Sequence, residues 1–154
     1  MQWSRYSWGG SAAVITSMSI VAGLNFAEHA RAATLGGLLI IAIADNLTDS
    51  LSIHIYKETE TAKASDVVAT AVGNFFSRLV VTMTFVLLVV LLPSTAVVYC
   101  STAWGLLLLA WLSVQVSRIK KSNCLREVAA HLAIALAVVA VARYLGYLIS
   151  AYVR

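Results

Sequence analysis

Five apolar stretches, each long enough to be read as a bilayer span, leave this chain very few folds to choose from. They cover about residues 8–25, 32–56, 72–92, 96–116 and 125–149, with only short polar segments between them. A membrane-crossing helix needs about 20 predominantly apolar residues, and in lipid every backbone polar group must be satisfied internally. Of the 154 residues, 60% are hydrophobic and 12% charged, against a charged fraction of about 25% in soluble domains. The expected fold is therefore all-α: a polytopic membrane protein of five transmembrane helices in one domain, 1–154. No room is left for a sizeable soluble domain. Pro93 is the single proline and stops span three, because it cannot continue the helical hydrogen-bond ladder. Ser11, Thr16, Ser17 and Ser19 thin span one; such small hydroxylated residues allow close helix approach. Arg5 followed by the apolar run from Ala12 to Leu24 also has the outline of a signal peptide. Against that, Trp3, Tyr6 and Trp8 form an interfacial aromatic belt, and only one basic residue precedes the run.

Orientation follows from Lys and Arg in the short loops, which favour the cytoplasm. With five spans, Arg5, Lys57, Lys63, Arg118, Lys120, Lys121 and Arg126 share one side. Arg31 and Arg154 fall on the other, with Arg143 buried near that end of span five. The N-terminus is therefore expected in the cytoplasm and the C-terminus outside. This bias explains the net charge of +4 without nucleic acid. Cys100 and Cys124 fall at opposite ends of their spans, and a disulfide needs Cα atoms within about 7 Å, so both are expected to be structural. There is no internal repeat, and an odd number of spans cannot form two equal halves. A transport path would then need a second subunit, with a twofold homodimer the default.

Within span two, Asp45 and Asp49 stand four residues apart, one helical turn, on one face. A charged carboxylate at the centre of a membrane helix costs about 2.5–3.5 kcal/mol on insertion scales, so such a pair implies compensation or use. Carboxylate oxygens are hard ligands suited to Mg²⁺, Mn²⁺ or Fe²⁺. Two apposed in a desolvated site also share a proton readily, as a proton-coupled exchanger requires. Ser52 and Tyr56 extend the stripe toward the cytoplasm at i+7 and i+11 of Asp45. The plainer alternative is that the aspartates pair with Arg78 of span three, or satisfy neighbouring Ser, Thr and backbone groups. Arg78 itself is read as ion-paired or snorkelling, not as a ligand.

The stretch Val14-Ile15-Thr16-Ser17-Met18-Ser19-Ile20-Val21-Ala22-Gly23 resembles the first-span motif of the vacuolar iron transporter family. That motif reads Asp-Gly, two aliphatics, Thr-Thr-Phe and a small-aliphatic run ending Ala-Gly. Ala44-Asp45-Asn46-Leu47-Thr48-Asp49-Ser50 resembles the family's second-span Ala-Asp-Gly-x-Ser-Met-Ala, and Ala142-Arg143-Tyr144-Leu145-Gly146 its last-span signature. The similarity follows the five-span order along nearly the whole chain. It implies export of Fe²⁺ or Mn²⁺, carried as substrate and exchanged for protons, by a homodimer with its ion path at the subunit interface. The departures fall on functional positions. The family's first-span aspartate aligns with Ala12, its second-span methionine with Asp49 and its second-span glutamate with Ile53. The long glutamate-rich cytoplasmic segment is reduced to KETETAKASD, residues 57–66. Either the site is rebuilt around Asp45 and Asp49, or transport is lost.

Three further groups are candidates. Thr16 and Met18 are candidate ligands from span one, Met18 more readily serving as packing. His54, beside the family glutamate's place, is an entry ligand or a pH-sensitive group, or an ordinary interfacial histidine. Asn25, Glu28 and His29 mark the opposite mouth, or simply a polar loop. Among the remaining residues, His131 is suited to a cross-helix hydrogen bond, and Gly9-Gly10 and Gly36-Gly37 to helix packing. No nucleophilic or hydrolytic set is visible in the spacing, so an enzyme is not expected. The functional expectation is a proton-coupled divalent-metal transporter using Asp45, Asp49, Met18, Thr16 and His54, with no cofactor, and a prokaryotic plasma membrane suits so short a chain. The rival is a membrane assembly or scaffold protein that keeps the fold without the site.

Overall fold

The computed structural model describes residues 3–59 and 64–153, with side chains from Gly9 onward. Six α-helices and one π-helical turn form it: α1 (Trp3–Leu24), α2 (Ala30–Ile40), a π-turn (Ile41–Asp45), α3 (Asn46–Thr59), α4 (Ala64–Leu91), α5 (Ser94–Lys120) and α6 (Cys124–Tyr152). The second, third and fourth of these run on as one 30-residue rod, Ala30–Thr59. That rod, α4, α5 and α6 are long and apolar enough to cross a membrane, while the described apolar part of α1, Gly9–Leu24, is shorter. The chain is thus built as a multi-pass helical membrane protein.

Local chemistry sets the helix ends. Pro93, at φ −67° and ψ 150°, separates α4 from α5. Lys121 ends α5 in the left-handed region at φ 54°, and the next amide, Ser122, donates back to the Ser117 carbonyl at 3.1 Å, the bond that closes a Schellman-type end. Asn123 then caps α6, its Oδ1 accepting from the Leu125 and Arg126 amides at 3.1 and 3.4 Å. These short turns make α4, α5 and α6 antiparallel neighbours in sequence. One end of the bundle carries Lys57, Arg118, Lys120, Lys121 and Arg126 and is called here the basic end. The opposite end holds the 25–29 loop, the 92–93 turn and the end of α6.

The packing inverts that of a soluble protein. α1 stands in the middle, against α4, α5 and α6 and, over its last turns, α2. Its Val14, Met18, Val21 and Ala22 join Leu38, Phe85, Leu109 and Ala135 in the buried core. Ser17, Asn46, Asn74, Arg78, Thr82, Ser101 and Ser113 are also buried, whereas Val80, Leu91, Leu107, Leu125 and Ile149 point outward. Without a hydrophobic drive between helices in lipid, close packing and inward polar contacts hold the bundle. α1 and α6 meet backbone to backbone: a Cβ on Gly146 would lie 2.0 Å from the Gly23 carbonyl oxygen.

Several expectations need correction. α3 reaches Thr59 and α4 begins at Ala64, so KETETAKASD is not a ten-residue loop. Its Lys, Glu and Ala are good helix formers, and both flanking helices continue through its described residues. Lys63 and Glu60 lie outside the described residues, as do the side chains of Trp3, Tyr6 and Trp8. Gly37 abuts Ile20 and Leu24, but a Cβ on Gly36 would meet nothing within 4 Å, so only Gly37 serves packing. Arg143 is exposed, not buried, its guanidinium lying over the Phe26 ring at 5.6 Å. Cys100 and Cys124 are both free thiols.

Candidate functional site: a guanidinium between two carboxylates

Arg78 lies thirteen residues before the end of α4 at Leu91, about 20 Å along the axis at 1.5 Å per residue. That is about two-thirds of the way across a ~30 Å hydrocarbon core from the end opposite the basic one. Its side chain is only 5% exposed. Nη2 meets Asp45 Oδ2 at 2.5 Å, Nη1 meets Asp49 Oδ2 at 3.3 Å, and Nε donates to Asn46 Oδ1 at 2.7 Å. Asn46 Nδ2 in turn donates to the Ala42 carbonyl at 2.9 Å. One turn along α4, Asn74 Nδ2 donates to Asp49 Oδ2 at 2.8 Å and to Ser50 Oγ at 3.2 Å. Both carboxylates therefore use one oxygen, and neither Oδ1 has a hydrogen-bond partner among the described residues. Arg78 forms the ion pair that was one of its two expected roles.

The π-turn ends at Asp45, where the Asn46 amide reaches back five residues to the Ile41 carbonyl. A π-turn widens the helix locally and resets which residues face the neighbour. Asn46 and Ser50 are buried against α4, and Asp45 and Asp49 flank them with side chains 49% and 39% exposed. Ser52 and Tyr56, expected to continue the acidic stripe, are exposed. Ser52 is turned onto its own helix, bonded to the Thr48 carbonyl at 2.9 Å. α3 packs chiefly on α4 among the described residues, and the half-exposed aspartates lie at the outer edge of that contact.

The other expected ligands are elsewhere. Met18 is 1% exposed and packs where α5 has only Gly105, whose Cβ would lie 2.1 Å from the Met18 sulfur. It stands nine residues, about 13 Å, along α1 from Gly9, the glycine at the cluster's level. Thr16 Oγ1 bonds the Ala12 carbonyl at 2.9 Å. His54 Nε2 lies 3.3 Å from Glu58 Oε1 on the same helix. None of the three is brought to the aspartates. Among the described residues, no three His, Cys, Asp or Glu side chains are grouped as a metal site. The pair Asp45–Asp49 is assembled as expected, but around a guanidinium.

Sequence reasoning passed over Asn46, Ser50 and Asn74 as site residues. Asn46/Ser50 and Asn74/Arg78 are each i, i+4 pairs of polar residues inside apolar spans, a signal for two facing polar stripes. Gly9 completes the arrangement: a Cβ there would lie 1.9 Å from Asn74 Oδ1, itself buried without a hydrogen-bond partner. Gly9→Ala is expected to push Asn74 off Asp49 and cost about 1–3 kcal/mol, the range for overpacking. Unfolding of the purified protein in a denaturing detergent measures this.

His131 makes the expected cross-helix bond, with Nδ1 2.8 Å from Ser113 Oγ on α5, and Nε2 4.0 Å from Glu127. Ser113 is 2% exposed and donates its hydroxyl proton to the Leu109 carbonyl at 2.7 Å. The trio ties α5 to α6. Comparison with protein-family models, curated proteins and solved structures finds no match to this chain. The likeness to vacuolar iron transporters is carried by the motifs alone.

Proposed function

We propose that this protein is a five-span transporter with its N-terminus in the cytoplasm, exchanging protons for a divalent cation such as Fe²⁺ or Mn²⁺ through the Asp45–Arg78–Asp49 cluster. One observation carries the reading: two carboxylates share one guanidinium within the span. A purely structural pair would be neutral and enclosed. Among the described residues one negative charge is in excess here, and both acids are partly exposed at the bundle surface, where lipid gives them no solvation. A second copy packed on this face would cover them, and two clusters facing each other would hold an excess of two negative charges. One divalent ion or two protons balance that excess. Arg78 then acts as the resident countercharge that keeps the empty site tolerable.

A non-transporting scaffold is the second reading. The observation favouring it is that Arg78 already occupies the place a cation would take. The discriminating experiment is Mn²⁺ and Fe²⁺ flux into proteoliposomes with and without a pH gradient. Asp45→Asn and Asp49→Asn each remove the excess charge while leaving Arg78 an acidic partner, so both variants should fold. Gradient-dependent flux that falls at least tenfold in either variant is the expected result. No flux from folded wild-type protein would leave the scaffold reading standing.

A further inference from the structure

A second polar feature lies at the opposite end of the bundle, well away from the acidic cluster. An open cleft of about 330 Å³ is lined by Asn25, Ser94, Thr95, Val98, Tyr99 and Arg143. We propose that this cleft binds a phosphate group, held by Arg143 and the start of α5.

The lining supplies donors and no acid. Among the described residues Arg143 has no carboxylate within salt-bridge distance, and Phe26 holds it through its ring face. A guanidinium offers five N–H groups in a fork that matches phosphate oxygens, and stacking on Phe26 orders it without consuming them. Asn25, Ser94 and Thr95 likewise make no side-chain hydrogen bond among the described residues. At the start of α5 the Ala96 and Val97 amides turn back to the Pro93 carbonyl at 2.9 and 3.1 Å. The Ser94 and Thr95 amides have no such partner, and the positive end of a 27-residue helix faces the cleft. The cavity, the unpaired arginine and the helix start converge on one anion.

Position identifies two sources for that phosphate. Tyr99 lines the cleft, and Tyr144, Tyr147 and Tyr152 lie on α6 beyond Arg143, all four exposed. Aromatic side chains of this kind gather at headgroup level, which places the cleft where phospholipid phosphates lie. Arg31 borders an adjoining small hole that shares Asn25 and Ser94, and donates to the Val90 carbonyl. It adds positive potential to the same mouth. Free phosphate from solution reaches the mouth as well.

Native mass spectrometry of the full chain released from detergent tests the assignment, with phosphatidylglycerol and inorganic phosphate as separate probes. Three variants are compared: Arg143→Gln, Thr95→Asp and, at the basic end, Arg126→Gln. An aspartate in the first turn suits the helix dipole, so Thr95→Asp keeps α5 while repelling an anion. Wild type and Arg126→Gln should retain phosphatidylglycerol equally, with Arg143→Gln and Thr95→Asp weaker by about tenfold, as expected for loss of a charge-assisted bond. The same pattern with inorganic phosphate and not with lipid would keep the site and assign it to free phosphate. Equal binding by all four proteins of every probe that wild type binds, or binding of neither probe by wild type, would overturn the proposal. Thermal unfolding of each variant separates loss of binding from loss of fold.

Discussion

Arg78→Gln should destabilise the protein by about 3–5 kcal/mol, the cost of removing one partner from a buried ion pair. The guanidinium is the better-buried member, 5% exposed, and it is the only cation contacting the two carboxylates among the described residues. Glutamine cannot reach both acids and carries no charge. Asp45 and Asp49 would then face each other one turn apart within the span, with only the Asn74 amide left on Asp49. The Nε bond to Asn46 at 2.7 Å is lost as well, leaving a buried amide oxygen unsatisfied at a further cost of about 1–3 kcal/mol. The decisive measurement is a mutant cycle on unfolding in mixed micelles. Arg78→Gln combined with Asp45→Asn and Asp49→Asn should be more stable than Arg78→Gln alone, because the repelling charges go with their partner. Strict additivity would mean that the three side chains do not act as a unit.

How much of this was legible in the sequence differs from element to element. The apolar runs located the rods, and Pro93 located the break between α4 and α5, because both signals are local. The pairing of Asp45 with Asp49 was also local, one helical turn. That Arg78 joins them was the plainer of two alternatives, legible from cost, since an arginine and two aspartates in apolar spans have few other partners. That the stripe would lie at the bundle surface did not follow. Asp45, Asp49, Ser52 and Tyr56 keep an even helical period through α3 and share its outer side. The π-turn at Ile41–Asp45 lies just before the site and resets which side faces α4, leaving Asn46 and Ser50 inward. No residue in Ile41-Ala42-Ile43-Ala44 announces a π-turn. Packing of the rod against α4 decides it. Thr16 and Met18 were grouped with the aspartates as residues of span one that could face them, and His54 because it stands beside the family glutamate's place. The structure uses Met18 as core and leaves the other two bonded within their own helices.

The absence of a side chain governs the second large effect, which is expected at Gly146. Gly146→Ala would place a Cβ 2.0 Å from the Gly23 carbonyl oxygen, 2.8 Å from its carbon and 3.1 Å from its Cα. All three are backbone atoms in the last turns of α1, so no rotamer change relieves the clash. α1 and α6 would have to separate by roughly an ångström, and α1 is the central helix, so the shift reaches its contacts with α4 and α5. A loss at or above the upper end of the ~1–3 kcal/mol overpacking range is expected. Two other glycines calibrate it. Gly105→Ala meets the Met18 sulfur at 2.1 Å and its Cγ at 2.4 Å, side-chain atoms that a change of rotamer can shift where backbone cannot, so the cost should be smaller than at Gly146. Gly36→Ala meets nothing within 4 Å and should gain up to about 1 kcal/mol from helix propensity. Unfolding of the three variants in one detergent should therefore rank Gly36→Ala above wild type, then Gly105→Ala, then Gly146→Ala. If Gly146→Ala proved neutral, α1 and α6 would not be held at backbone contact, and the position of α1 at the centre of the bundle would rest on its α4 and α5 faces alone.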